Sequence, residues 1–243
     1  MPERLASAIA LAIVGVCLLV GSLAIADGIR DRGRTDVLTV TGSAKRRIQS
    51  DYVIWNASLT SRQPTAQAAS KELARWTARF QAFLTEEGAQ PDEITVQPIS
   101  TATQAETDLE TGEPIGPVIG FALTRTFQLR SDRVDEIAKL VEASARLLNE
   151  NVPITAEPPQ YVYTKLPSLR PELLEDATKD ALARAEVLAR ATDANLGSVR
   201  SVNVGVFQVT SPNSTEVSDY GVYDISTRAK DVTAVVNVTL ALE

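Results

Sequence analysis

Histidine is absent from this chain of 243 residues, and cysteine occurs once. Without histidine there is no His-based catalytic triad, no histidine general base and no histidine-ligated metal site. The single cysteine, Cys17, lies in a long apolar run, so the rest of the chain has no thiol nucleophile, disulfide or zinc–thiolate site. Val16 precedes it where a lipoprotein signal needs glycine or alanine. These two absences exclude many enzyme and metalloprotein classes.

Other signals of catalysis and of nucleic-acid binding are also missing. The sequence contains no G-x-S-x-G elbow, no glycine loop that would cradle phosphates, and no S-x-x-K at the start of a helix. The formal net charge is −7, and the 24 lysines and arginines form no extended stripe. We therefore expect a protein without enzymatic activity, cofactor, metal or nucleic-acid partner.

A run of 22 residues without charge, Leu5 to Ala26, is the longest apolar stretch. As a helix it spans about 33 Å, enough for a hydrocarbon core of roughly 30 Å. The alternative is a signal peptide, because Ala24-Ile25-Ala26 fits a small-x-small cleavage site, but the run exceeds the ~7–15 residues of a signal core. The favoured interpretation is an uncleaved transmembrane anchor whose lipid-facing residues include Leu5, Ile9, Ile13, Val16, Leu19 and Leu23.

The orientation of this anchor rests on two opposed signals. Arg30, Arg32 and Arg34 follow the run and only Arg4 precedes it, which by the positive-inside rule argues against export. The very short leader and the signal-like segment favour export of the long tail. We expect residues 1–26 to anchor the protein in a bacterial membrane, 27–36 to form a linker, and 37–243 to fold in the periplasm or outside the cell.

The hydrophobic pattern of residues 37–243 predicts an α+β domain in the order ββαββαβαββ, with an antiparallel or mixed sheet covered by three helices. Gly42 would end the first strand, and residues 103–118 would form a solvated hairpin loop rather than a metal site. The helices are expected near 64–88, 132–149 and 171–196, with Ser131 or Asp132 capping the second. Their inward-facing stripes are Ala66, Ala69, Leu73, Trp76, Phe80 and Phe83; Val134, Ile137, Leu140, Val141 and Leu148; and Leu174, Ala177, Ala181, Ala185, Leu188 and Thr192.

Polar residues concentrate in the loop from Ser211 to Lys230, which is the candidate interaction loop. Its members are Asn213, Ser214, Thr215, Glu216, Asp219 and Tyr220. The simpler interpretation is a structured surface loop whose Asn and Ser side chains cap turns. Asp176 and Asp180, one helical turn apart, are interpreted as solvated charge rather than an acid–base pair. The final strand, Val232–Leu242, would extend a sheet between subunits if it lies at an edge, and would be central otherwise.

Three stretches resemble a known family: VLTVTGSAKRRIQSDYVIW (37–55), DATKDALARAEVLARATDANLGSVRSV (176–202) and GVFQVTSPNSTEVSDYGVYDISTRAKDVTAVVNVTL (205–240). Together they resemble the SIMPL-domain family, formerly a domain of unknown function, and in particular its membrane-anchored members. The resemblance implies an exported α+β domain, ring- or channel-like homo-oligomers in some members, and an association with envelope or oxidative stress. It implies no catalytic residues.

The favoured function is therefore a membrane-anchored envelope scaffold or interaction module that forms homo-oligomers and contacts lipid through its N-terminal helix. One alternative is a receptor that holds a small ligand between residues 158–161, with exposed tyrosines nearby, and the candidate interaction loop. An enzyme using Ser, Asp or Lys chemistry is the least favoured alternative.

Overall fold

The computed structural model describes residues 36–107 and 114–243, which divide into two compact units. Unit 1 comprises residues 36–44, 174–205 and 234–243, and unit 2 the other described residues. The fold is α+β, with three α-helices in the described chain, as predicted. Its elements are β1 Val37–Gln49, β2 Tyr52–Gln63, α1 Ala66–Glu86, β3 Ile94–Val96, β4 Ser100–Thr107, β5 Pro114–Ser131, α2 Val134–Ala143, β6 Ile154–Ala156, β7 Gln160–Val162, α3 Leu166–Ala191, β8 Leu196–Val204, β9 Gln208–Thr210 and β10 Ala229–Leu242, with 3₁₀ turns at Pro91–Glu93 and Ser144–Glu150.

The described chain contains more strands than predicted, in the order ββαβββαββαβββ. The strand expected from Ile94 is split into β3 and β4, with Pro98 between them. Residues 157–159, which include Pro158 and Pro159, separate β6 from β7. Proline has no N–H to donate to a ladder, so short strands form on either side of it. The third addition is β9, which pairs antiparallel with β10.

Unit 2 is built on a six-stranded sheet in the order β3-β5-β2-β6, where β4 also pairs with β5 and β7 with β2. The strands in each of these pairs run antiparallel. Helix α1 packs on this sheet through Phe80, whose ring contacts Trp55 at 6.2 Å, Phe127 at 4.7 Å and Phe83 at 6.1 Å between centroids. The aromatic residues predicted as a helical stripe therefore form the core.

The ends of α1 follow local rules. The Thr65 hydroxyl accepts a hydrogen bond from the amide of Ala68 at 3.3 Å, which satisfies one of the free donors of the first turn. The helix ends at Glu86, and Gly88 follows with φ of +84°, a conformation that glycine adopts without steric cost. The predicted stop at Gly88 is confirmed, whereas the helix starts at Ala66, two residues later than predicted, and Pro64 precedes its N-cap.

The second helix differs from its prediction at both ends. Its N-cap is Arg133 rather than Ser131 or Asp132, and it has no side-chain cap. At Ser144 the chain tightens from α to 3₁₀ geometry, so each residue turns about 120° instead of about 100°. Leu147 is consequently buried and Leu148 is 55% exposed, the reverse of the expected stripe.

Much of the predicted loop at 103–118 is strand. β4 continues to Thr107 and β5 begins at Pro114, so the two strands form a long hairpin. Ala105 pairs with Val118 and Glu106 with Ile115, which leaves Gly116 and Pro117 as an irregularity in the ladder. Gly116 has φ of +84°, which only glycine adopts readily. Glycines, prolines and acidic residues in sequence usually indicate a loop. In this segment they belong to a strand with a bulge.

Unit 1 contains three strands of a four-stranded sheet, in the order β1-β10-β8, and α3 covers one face of them. β1 continues through Gly42, where a Cβ atom would lie 2.2 Å from the Ala177 carbonyl oxygen and 2.4 Å from the Ala181 amide nitrogen. Glycine therefore allows α3 to pack directly on the strand and does not end it. Hydrogen bonds between side chains join Thr39 to Thr239 and Thr41 to Asn237, so β1 and β10 are antiparallel.

Helix α3 begins at Leu166, five residues before the predicted start at Pro171. Ala177, Ala181 and Ala185 are buried as predicted, but Leu188 is 45% exposed and Ala189 is buried in its place. A stripe that repeats every four residues rotates by about 40° around the helix at each step. From Ala185 it therefore continues to Ala189 and moves away from Leu188.

The final strand is central in the sheet of unit 1. β10 has β1 on one side and β8 on the other, and its residues Ala234, Val236 and Val238 are buried. The sequence left open whether this strand lies at an edge or in the interior of a sheet, and the interior position is correct. The edges of this sheet are β1 and β8.

Candidate functional site

The candidate interaction loop is fixed at its start by Asp231, a residue of β10 whose side chain is 2% exposed. Its carboxylate accepts hydrogen bonds from the Arg47 guanidinium at 2.8 Å and from the Asn213 amide at 3.0 Å, and pairs with Lys45 at 2.9 Å. The Arg47 bond is the main cause that holds the pKa of Asp231 well below its ordinary value of 3.8, against the effect of burial. Asp231 is therefore ionised at neutral pH.

Asp224 fixes the other end of the loop. Its carboxylate accepts hydrogen bonds from the Ser226 amide at 2.9 Å and from the hydroxyls of Ser226 and Thr227, and lies 3.4 Å from the Lys230 ammonium. Burial raises the pKa of Asp224, but these bonds outweigh it and the pKa falls well below 3.8. Burial lowers the pKa of Lys230, which is fully buried and also donates to the Thr227 carbonyl oxygen. Asp224 and Lys230 together close the turn at this end of the loop.

The six predicted loop residues fall into two groups. Asn213 and Ser214 are structural: Asn213 has φ of +62° and its side-chain oxygen accepts from Arg47 at 3.2 Å, while the Ser214 hydroxyl accepts from the Glu216 amide at 3.1 Å. The remaining four, Thr215, Glu216, Asp219 and Tyr220, are exposed, and the Tyr220 side chain is almost completely so. The structure thus holds the ends of the loop and presents its middle to solvent.

The segment at 158–161, which the receptor hypothesis places opposite this loop, packs directly on it. The Tyr161 amide donates to the Ile225 carbonyl oxygen at 2.7 Å, and the Arg228 guanidinium lies 5.6 Å from the centre of the Tyr161 ring. Tyr161 is buried, so the expectation that this tyrosine is exposed is wrong.

A basic cleft of about 410 Å³ lies elsewhere in unit 2. Arg46, Arg47 and Lys165 line it, together with Tyr163 and Glu172. Each cation is already paired, because Arg46 bonds Glu172 at 2.5 Å, Arg47 bonds Asp231, and Lys165 lies 3.6 Å from Asp51. An anion that entered this cleft would compete with these carboxylates.

One of the two helix carboxylates interpreted as solvated charge has a structural role. Asp180 accepts a hydrogen bond from the Ser43 amide at 2.8 Å and pairs with Arg184 at 2.9 Å. The Ser43 bond is the larger cause that lowers the pKa of Asp180. This carboxylate therefore joins α3 to β1 within unit 1.

An apolar strand edge in unit 1 was not among the predicted sites. β8 is the outer strand of its sheet, and Val199, Val202 and Val204 are each about half exposed. Val202 pairs with Val238 and Val204 with Val236, so they lie on the same face as two fully buried valines. The alternation of these valines with polar residues is visible in the sequence. Any half-buried strand alternates in the same way, so the pattern does not identify an exposed edge.

Some expectations fall on residues that the structure does not describe. The proposed anchor residues Leu5, Ile9, Ile13, Val16, Leu19 and Leu23 lie outside the described residues, as does the stretch 108–113. Among the helices that are described, none combines the length and apolarity needed to cross a membrane. Within the same residues, no group of three or more carboxylate, cysteine or histidine side chains is arranged to hold a metal ion.

Comparison with known proteins gives one informative match. A family model described as SIMPL, protein of unknown function (DUF541), matches residues 38–240. No curated protein matches. The de novo designed protein Foldit4 is 15% identical over 44% of this chain and 93% of its own, with a TM-score of 0.25. The ligand-free regulatory subunit of aspartate kinase from Thermus thermophilus is 14% identical over 81% of this chain and 88% of its own, with a TM-score of 0.20. Scores this low support no argument.

Proposed function

This chain belongs to the SIMPL family of proteins of unknown function, and from that premise we propose that it is an exported, membrane-anchored protein of the bacterial cell envelope that assembles with copies of itself into a scaffold or interaction module. The length of the apolar run Leu5–Ala26 supports the anchor. The family resemblance supports a ring- or channel-like assembly and a link to envelope or oxidative stress.

The observation that carries the self-assembly is the exposed edge of β8. Proteins normally protect such an edge with lysine, proline, a bulge or a covering segment, because its free N–H and C=O groups pair with any available strand. In β8 the register shifts lie opposite residues 239–242, and Ser201 to Val204 pair regularly with β10. This regular half has one exposed valine on each side of Asn203. It is suited to pairing with another strand.

A second copy of β8 is the partner that this edge fits. Two copies related by a two-fold axis would pair antiparallel, join their sheets and bury the half-exposed valines against each other. Such an isologous contact needs no other protein. Larger assemblies would then use a further surface, for which the exposed Ile115, Val118 and Ile119 of the β4–β5 hairpin are suited.

Light-scattering mass in detergent tests the proposal, for the full-length protein and for a chain that begins at Asp27. We expect both to be discrete oligomers. Val202→Lys places a charge on the β8 edge and should reduce the oligomer, while the circular dichroism spectrum shows that the chain is still folded. The matched control is Leu148→Lys, since Leu148 is 55% exposed and lies outside both the β8 edge and the candidate interaction loop.

Each outcome has a distinct meaning. If only the full-length protein is large, the apolar run holds the oligomer together and β8 is not the interface. If the oligomer persists in Val202→Lys, another surface is responsible. If every chain is monomeric, the scaffold proposal fails.

The second candidate function is an envelope receptor for a small anion, favoured by the cleft that Arg46, Arg47 and Lys165 line. A screen of carboxylates and phosphates by melting temperature tests it, with Lys165→Glu as the variant that should abolish any stabilisation. A flat screen with the unmodified protein would count against this function.

A further inference from the structure

The end of unit 1 at which the N-terminal part of the chain enters is defined by backbone hydrogen bonds. The Leu242 amide donates to the Asp36 carbonyl oxygen at 2.8 Å, so the start of β1 lies beside the end of β10. Asn195 and Glu243 exchange two backbone bonds of 3.1 and 2.9 Å, which brings the start of β8 to the same place. The chain therefore enters unit 1 where β1 and β8 begin and β10 ends.

The C-terminal part of α3 reaches this same end. Gly42 faces Ala177 and Ala181, and the helix ends at Ala191, four residues before Asn195. Because Asn195 lies at the entry end of unit 1, the last turns of α3 run from Gly42 toward that end. At about 1.5 Å per residue, Val187 lies about 6 Å from the end of the helix.

An apolar patch is exposed on this part of α3. Val187 is 56% and Leu188 45% exposed, and with Ala183 and Arg184 they line a recess of about 420 Å³. Arg190 is exposed nearby, in the last turn of the helix. Apolar side chains beside arginines are typical of surfaces that meet the boundary between lipid headgroups and acyl chains.

We infer that this end of unit 1 rests on the lipid surface, with Val187 and Leu188 in contact with lipid. The inference rests on the proposed membrane anchor, and it adds a second lipid contact within the folded domain. Residues 27–35 connect the anchor to Asp36, and nine residues span at most about 30–32 Å. Such a short tether keeps the patch at high effective concentration near the bilayer, so a weak contact is sufficient.

The charge of the chain limits how this contact is made. Glu186 and Asp193 lie near the patch, and the net charge of −7 disfavours anionic lipid. The apolar pair must therefore supply the attraction, and zwitterionic lipid is the appropriate surface for a test.

A fluorescent label at single cysteines in the full-length protein provides that test, in a Cys17→Ser background and in phosphatidylcholine vesicles that contain doxyl-labelled phosphatidylcholine. Val187→Cys carries the label on the patch, and Leu188→Cys repeats the measurement one residue on. The matched control is Glu175→Cys, because the Glu175 side chain is 67% exposed and lies twelve residues before Val187 in α3, about 18 Å along the helix. A melting temperature equal to that of the Cys17→Ser parent shows that each variant is folded.

We expect the lipid quencher to reduce emission from positions 187 and 188 and to leave position 175 unchanged. Equal quenching at 187 and 175, or none at either in protein that floats with the vesicles, would overturn the inference and leave the anchor intact. Protein that does not float would instead overturn the anchor itself, and with it the basis of this inference. A label that is buried but not quenched would also overturn the inference of a lipid contact, because a protein segment such as Leu5–Ala26 would then cover the recess.

Discussion

Asp231 shows how one buried charge organises a surface loop. Lys45 and Arg47 are about half exposed, whereas the Asp231 side chain is almost completely buried, so the two cations retain hydration that the carboxylate has lost. The carboxylate is stabilised by hydrogen bonds from Arg47 and the Asn213 amide rather than by water. Its low pKa follows from those bonds and not from exposure.

We expect Asp231→Asn to lower the free energy of unfolding by roughly 1–3 kcal/mol at neutral pH, because it removes a charge-assisted acceptor. The folded-state pKa lies below 3.8, so this stabilisation is fully present above the unfolded-state pKa and is lost as the pH falls below about 4. Urea unfolding from pH 7 to pH 2 measures the effect, and the difference in stability between the two proteins should narrow as the pH falls below about 4. Asp219→Asn, at an exposed position, is the control; a gap that stays constant to pH 2 would contradict the explanation.

Gly42 is the residue at which helix and strand come closest within unit 1. We expect Gly42→Ala to cost roughly 3 kcal/mol, because the new Cβ would meet backbone atoms of α3, which cannot move aside as a flexible side chain can. Gly205→Ala is the milder comparison, since its Cβ would lie 3.3 Å from the Val235 carbonyl oxygen, which is a tight contact but not an overlap. Thermal unfolding compares them. Equal melting temperatures for both variants would show that the contact is looser than described.

At the scale of elements, helical periodicity predicted which segments are helices better than which residues face inward. The sequence places the start of α3 near Pro171, yet the helix begins at Leu166. Proline there removes one backbone hydrogen bond, but the burial of Leu166, Leu169 and Leu173 offsets this cost. Local sequence rules do not include that burial.

The 3₁₀ turn after α2 leads to opposite predictions for two adjacent leucines. Leu147→Ala should cost about 2–5 kcal/mol because it leaves a cavity in the core of unit 2, whereas Leu148→Ala should stay within about 0.5 kcal/mol. Urea unfolding of the two variants compares their free energies of unfolding directly, because each variant is the control for the other. A larger loss for Leu148→Ala would indicate that α2 continues as a regular α-helix.

At the scale of the whole molecule, the last strand is indispensable because β1 and β8 are both bonded to it. We expect a chain that ends at Thr233 to lose the sheet of unit 1, with a fall in the β signal of circular dichroism and rapid amide exchange in β1 and β8. A chain that lacks only Glu243 is the control, since it keeps the ladder of β10. Protection of β8 amides in the shorter chain would mean that another element replaces β10.

The sequence by itself determined the features that depend on neighbouring residues. It predicted the α+β class, the three helices of the described chain, the end of α1 and its aromatic stripe, because periodicity and capping act over a few residues. It also excluded histidine and thiol chemistry, which needs only composition.

Only the tertiary structure decided which residues distant in sequence meet. Arg47 and Asp231 are separated by 184 positions, and nothing local marks them as partners. Strand order likewise depends on long-range pairing: β8 and β10 both alternate, yet one is an exposed edge and the other the centre of the sheet. Alternation shows that a strand has two different faces, but whether a neighbour covers its edge depends on how the whole chain folds.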